Sequence, residues 1–365
     1  MSIRTPIALC ALVGLFACLL ALQPAVSAAE GPTLVSGGPL TFGPDGVLFI
    51  ADNDGAKIVA LELGDQVSSG TPGTKNVPGI DQQIAALLGT DAREIPSNDL
   101  AISPASRNAF LSVSRGLGAN AMPVLLRVDG GGTIDVISLT DVTFTQIDLP
   151  NAPDADPGAR RDPRASSITD MAYVGDRLFI AGLSNEEFSS KLRSVSYPFA
   201  SVDAGTSVEI WHAAHGEFET RSPIYTFVPY TVDGEQNLIA GYLCTPLVKF
   251  PVDQLQPGAK VMGTTIAELG NRNRPLDMVV YKKDGKDYLL MSNTSRGVMK
   301  IPTENFGQQP GLTEPVPDGS YAGIEAENIA QMAGVEQLDL LDDQYAIVIA
   351  RNDAGQVNLE AVALP

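Results

Sequence analysis

Six short stretches of the chain end alike, in apolar residues followed by a small one. They are Leu48-Phe49-Ile50-Ala51, Ala109-Phe110-Leu111-Ser112, Leu178-Phe179-Ile180-Ala181, Asn237-Leu238-Ile239-Ala240, Leu289-Leu290-Met291-Ser292 and Ile347-Val348-Ile349-Ala350. They recur at nearly even intervals, with Gly, Pro, Asn and Asp between them and little helical periodicity. A short continuous apolar run suits a strand buried on both faces. Such runs repeated at a regular period point to radial repetition, about one four-stranded blade per repeat. The expected fold is all-β, a six-bladed β-propeller. A seventh repeat would have to lie between Ser112 and Ala181.

The last repeat supplies only three strands, over residues 337–341, 345–351 and 356–364. Residues 31–36 precede the first repeat and have no blade of their own. They are expected to close the ring as the outer strand of the last blade, covering an edge open to unwanted pairing. Residues 30–365 read as one domain with two loop insertions. The first, 66–96, contains a short helical pattern ended by Gly89; the second, 150–164, is too poor in apolar residues to order itself.

The N-terminus carries Arg4, an apolar run from Ile7 to Leu22, then Pro24 and small residues. That order predicts a secretory signal over residues 1–29, cleaved near Ala28 or Ala29, and a periplasmic or extracellular protein. Cys10 and Cys18 leave with it, so Cys244 remains without an intrachain disulfide partner. The formal net charge is −19. Such a surface repels nucleic acid and anionic lipid. No second apolar run reaches membrane length. The expectation is a monomer without stable membrane insertion, whose partner is a small molecule, a cation or a protein.

Aligned on the six strand ends, the preceding strands share one polar position: Thr41, Asp99, Asp170, Thr226, Asp277 and Asp339. The first strand of each blade lines the central channel, so these residues should ring it near one mouth. Asp99, Asp170, Asp277 and Asp339 then have two readings. They hold a hard divalent cation such as Ca²⁺, or each accepts backbone N–H groups and closes its strand.

The loops after the second strands bring Asp52, Asn53, Arg115, Asn185, Glu186, Tyr242, Asn293, Arg296 and Arg351 to the same mouth, with Arg274 entering before Asp277. Polar loops on a rigid β scaffold are where binding usually resides. The arginines either neutralise the acidic ring or hold a ligand's carboxylate or phosphate bidentately. His212 and His215 flank a turn, read as a hairpin at the end opposite the mouth. Cys244 sits better for function, although a lone buried thiol is usually a small hydrophobe.

Gly43-Pro44-Asp45-Gly46-Val47-Leu48-Phe49-Ile50-Ala51-Asp52, followed by Lys57-Ile58, resembles the NHL repeat. The whole plan resembles the six-bladed propellers that include gluconolactonases and senescence-marker proteins. That resemblance implies a divalent metal at the mouth, but Thr41 stands where those proteins have an early metal-binding glutamate. Haem attachment, His-Glu-x-x-His zinc, Gly-x-Ser-x-Gly and P-loop motifs are absent, and a single Trp argues against quinoprotein propellers. The leading reading is an exported propeller binding a small ligand, cation or protein at the channel mouth. The alternative is a metal-dependent, lactonase-like hydrolase, with the ring holding Ca²⁺ or Zn²⁺ and a carboxylate as base.

Overall fold

All six expected second strands form: Leu48–Asp52, Ala109–Arg115, Arg177–Leu183, Glu235–Tyr242, Lys286–Asn293 and Tyr345–Arg351. Each pairs antiparallel with an inner strand, in order Leu40–Phe42, Ser97–Ile102, Asp170–Val174, Ile224–Val232, Pro275–Lys283 and Val335–Leu340. The coordinates are a computed structural model that describes residues 31–365 apart from 72, 74, 75 and 157. The expected signal segment therefore lies outside the described residues. Leu48, Phe49, Ile50 and Ala51 are all buried, as packing on both faces requires. We number the blades one to six in chain order.

The order around the axis differs from the order along the chain. After the third strand of blade one, Lys57–Glu62, the chain leaves to build all of blade two, adding Met122–Val128 and Ile134–Val136. Only then does it return to lay Thr143–Asp148 against Lys57–Glu62 as the outer strand of blade one. The inner strands neighbour one another in the order one, three, four, five, six, two and back to one. Each junction has its own apolar core. Phe110 and Leu125 meet Ile50 and Val59 between blades two and one, and Met171 and Leu178 meet Phe49 and Ile58 between one and three. At the far side, Leu111 and Val128 of blade two meet Ile347 and Leu359 of blade six. The interval from Ser112 to Ala181 thus holds the end of blade two and the last strand of blade one, not a seventh blade.

Closure differs from the expectation. Residues 31–36 do not extend blade six; they lie over blade one, where the buried Asp52 carboxylate draws them in. It accepts the N–H groups of Val35 (2.8 Å) and Ser36 (2.9 Å) and that of Gly55 (2.9 Å). A buried carboxylate needs such donors. Blade six keeps three strands, the last being Val357–Ala363. Its edge is met instead by Val77, which exchanges bonds with Leu359 at 2.8 and 3.0 Å. The helix Ile80–Leu88 follows, burying Ile80, Ile84 and Ala85 along one face, a spacing of three to four residues. Gly89 ends it in the left-handed conformation (φ 66°).

In the 150–164 insertion, the described residues are held by polar bonds rather than by a core. Arg164 donates to the carbonyls of Asp54 (2.8 Å) and Pro153 (3.1 Å). Asp162 accepts from the backbone of Arg164 (2.9 Å) and Asp156 (3.0 Å).

Candidate functional site

The four aspartates do ring the channel, around a cavity of about 400 Å³. Each ties its own inner strand to the next. Asp170 accepts from Met171 N–H (2.7 Å) and from Phe227 of blade four (2.6 Å). Asp277 accepts from Met278 (2.8 Å) and from Leu338 of blade six (2.9 Å). Asp339 accepts from Leu340 (2.7 Å) and from Ile102 of blade two (2.7 Å). Asp99 accepts from Leu40 of blade one (2.6 Å).

The ring is staggered. Asp99, Asp170 and Asp277 stand opposite Ser112, Ala181 and Ser292 of their partner strands. Asp339 pairs with Ile347 and Thr41 with Phe49, further down the channel. The side chains keep some contact with the channel but are ringed by protein. Burial pushes the carboxyls up, Asp170 to about 7 and Asp339 to about 6. Asp99 and Asp277 are pushed well up, by burial first and also by the other ring carboxylates.

Above the ring opens a mouth cavity of about 590 Å³, lined by Asn98, Thr169, Tyr225, Arg274, Gln337 and Arg351 among others. Arg274 and Thr294 also line a neighbouring cavity of about 720 Å³, together with Arg160, Arg161, Arg272 and Cys244. Arg161 donates to the Tyr225 hydroxyl (3.3 Å), and the Arg274 guanidinium lies 5.5 Å from the centre of the same ring. Arg272 pairs with Asp318 (2.9 Å) and Arg351 with Glu336 (2.8 Å). Among the described residues, no carboxylate pairs with Arg160, Arg161 or Arg274.

Most of the other expected mouth residues are taken up by the scaffold. Asp52 anchors residues 35 and 36. Asn53 donates to the Ala165 carbonyl (3.1 Å). Arg115 caps the helix Ile80–Leu88, donating to the carbonyls of Leu88 (2.8 Å) and Gly89 (3.3 Å). Buried Asn293 accepts from Asn273 (3.0 Å) and donates to the carbonyl of Met291 (3.1 Å). Arg296 bonds the Asn271 carbonyl and the Tyr321 hydroxyl, both at 3.1 Å. Glu186 holds Lys191 and accepts from Asn151 (2.7 Å), while the Asn185 N–H donates to the Asn151 carbonyl (2.8 Å). Tyr242 is buried.

The turn at the histidines is the expected hairpin: Thr206–His212 pairs with Glu217–Glu219, and Gly216 takes φ 67°. Its placement is corrected. A fourth strand runs parallel to the second, so it ends at the mouth face rather than opposite it. There the hairpin meets the turn after Tyr242, and ligand atoms of His212, His215 and Cys244 lie within 4.8 Å of one another. No ring aspartate joins them.

No family model and no curated protein matches the chain. Solved structures of similar outline include an engineered GH43 glycoside hydrolase, at 12% identity over 70% of this chain and 48% of that one, with TM-score 0.33. The PQQ-bound form of an aldose sugar dehydrogenase from Streptomyces coelicolor is similar at 12% identity over 92% and 97%, with TM-score 0.33. The full extracellular region of plexin A4 is similar at 9% identity over 92% of this chain and 40% of that one, with TM-score 0.40. The chain spans under half of the first and third. Likeness at this level reaches neither a site nor an activity.

Arg160 and Arg161 were not among the residues that sequence reasoning brought to the mouth. The available signal was an adjacent basic pair in a loop otherwise rich in Asp and Pro.

Proposed function

We propose that the chain is an exported binding propeller whose mouth takes a small anion bearing a carboxylate or phosphate. The observation that carries this reading is the convergence of Arg160, Arg161 and Arg274 on one cavity, which Arg274 joins to the mouth cavity, without carboxylate partners among the described residues. In a chain of net charge −19, unpaired guanidinium groups gathered at a concave mouth are a local reversal of sign. Arginine recognises planar oxyanions through two parallel N–H bonds. Tyr225, between Arg161 and Arg274, adds an apolar face to the same wall. Export itself rests on the N-terminal apolar run and small-residue cleavage pattern. It is checked by the mass of the mature N-terminus in the secreted or periplasmic fraction.

The test is calorimetric titration with a panel of carboxylates, dicarboxylates and phosphate esters, beside neutral analogues. Arg274→Ala and the pair Arg160→Ala, Arg161→Ala should each weaken a bound anion by roughly tenfold or more, since charge-assisted bonds contribute about 1.5–3 kcal/mol. Neutral analogues should not bind. Anion affinity unchanged in both variants would refute the reading.

The lactonase-like hydrolase, which the NHL likeness of the first repeat suggested, is the second reading. In its favour, the Asp170 carboxyl sits below the mouth at about 7, a useful value for a general acid or base. Its metal would need ring oxygens that already accept backbone N–H groups. Lactone hydrolysis with and without added Ca²⁺, in wild type and Asp170→Asn, tests it directly.

A further inference from the structure

At the mouth face, outside the arginine cluster, blades three and four bury a set of polar groups that lack partners. His212 ends its strand at 1% exposure, and its Nε2 has no hydrogen-bond partner. Its Nδ1 lies 2.9 Å from Glu219 Oε1 but outside hydrogen-bond geometry. His215 Nδ1 approaches the same oxygen at 2.6 Å. The two imidazoles stack at 3.8 Å between centroids, tilted by 32°. Nearby, the buried Tyr242 hydroxyl and Glu268 Oε1 are also unpartnered. The other oxygen of Glu268 accepts Ala214 N–H at 3.2 Å. Orphaned buried groups in this number mark a place where an ion or water belongs.

We propose that His212, His215 and Cys244 bind a borderline first-row divalent cation of the Zn²⁺ kind, with Glu219 as the outer carboxylate that orients both imidazoles. A histidine ligand commonly gives its second ring nitrogen to a carboxylate, which fixes the ring and strengthens the ligating nitrogen. With both Nδ1 atoms at Glu219, Nε2 is the nitrogen left for the metal. Two imidazoles and a thiolate suit a borderline ion and disfavour Ca²⁺ and Mg²⁺, which prefer oxygen. The Cys244 thiol gives its proton to solvent as the metal–sulfur bond forms, so binding weakens in acid. Three protein ligands leave one position open, as in catalytic rather than purely structural zinc sites. Cys244 also lines the arginine cavity, so this open position neighbours the anion site.

Cys244 is held in place by backbone bonds. Its N–H donates to the Asn273 carbonyl at 2.7 Å, and Thr245 N–H closes the turn onto Tyr242 at 2.9 Å. The site is thus assembled from a hairpin of one blade and a rigid turn of the next.

The experiment strips the full chain with chelator and titrates it with Co²⁺, then with Zn²⁺. One equivalent of Co²⁺ should produce a thiolate-to-metal charge-transfer absorption, and one equivalent of Zn²⁺ should abolish it. Cys244→Ser should remove the band, and Glu219→Gln should weaken binding roughly 10–100-fold. His215→Gln, at a half-exposed position that tolerates substitution, should weaken it at least as much. Asp277→Asn with Asp339→Asn should change nothing. Absence of the band in wild type whose circular dichroism is native would overturn the proposal. So would a band that survives in Cys244→Ser together with unchanged affinity in His215→Gln.

Discussion

The backbone N–H of Leu40 donates to the Asp99 carboxylate at 2.6 Å, so a side chain of blade two holds the first residue of blade one's inner strand. The same latch runs in the same rotational sense from Asp170 to Phe227, Asp277 to Leu338 and Asp339 to Ile102. Four of the six junctions are therefore fastened at the axis. The other two have Thr41 and Thr226 at the corresponding position.

These latches give an unusual pH dependence. A carboxyl whose folded value is raised adds stability below its unfolded value, about 4, and that contribution is lost as pH rises through the folded one. For Asp339 and Asp170 the loss runs from about 4 up to about 6 and about 7 respectively. Glu219 acts oppositely: burial raises it, but His212, Ser222 and His215 outweigh that and hold it at about 2. Its contribution is present above about 4.5 and is lost on acidification. The melting temperature should be highest near about pH 4 to 4.5 and fall from there towards about pH 7. Asp170→Asn should flatten the decline between about pH 4 and 7. A profile that rises steadily to pH 8 would contradict this.

Ring substitutions should weaken the fold whether or not a cation is present. Asp277→Asn or Asp339→Asn replaces an acceptor oxygen with an amide N–H₂ beside a backbone donor, costing about 1–3 kcal/mol in urea titrations at pH 5. In a Cys244→Ser background, chelator should leave the melting curve unchanged. A fall there, abolished by the double Asn variant, would place a cation in the ring.

Arg115 and Arg274 should separate structure from binding. Arg115→Ala leaves the last carbonyls of the helix Ile80–Leu88 without their cap and should cost about 1 kcal/mol of stability. Anion affinity should be unaffected. Arg274→Ala should do the reverse, lowering affinity while leaving the urea midpoint nearly unchanged.

Val77 should matter more for closure than the first described residues. Val77→Pro removes the donor to Leu359 and takes a buried side chain from the core between blades two and six. A loss of at least about 1–3 kcal/mol is expected, with an orphaned carbonyl at Leu359. Thr33→Pro, in the segment lying over blade one, should cost less. Equal losses from the two would restore the N-terminal segment as the closing element.

The strands were legible because two-sided burial forces continuous apolar runs, and the ring because a channel-facing Asp recurs before four of the six runs, with Thr before the other two. The order of blades was not legible. Residues of Lys57–Glu62 and Thr143–Asp148 specify strands, but nothing local in either states that they pair across an intervening blade. The stagger of Asp339 escaped for a related reason: the same bulge precedes Asp99, Asp277 and Gln337, so in blade six Gln337 takes the upper position and Asp339 lies two residues below it. His212 and Cys244 looked separate because their meeting depends on the direction of a fourth strand relative to the next blade's turn.

The excursion through blade two has a consequence for the chain as it leaves the ribosome. Blade one cannot acquire its outer strand until residue 148 has been made, by which time every residue of blade two is already available. The exposed edge of Lys57–Glu62 must wait for it, unpaired, through more than a fifth of synthesis. Blades one and two must therefore mature as a pair, whereas blades three to five each border the blade made just before or after them. The vulnerable interval for misassembly falls early, before half the protein exists.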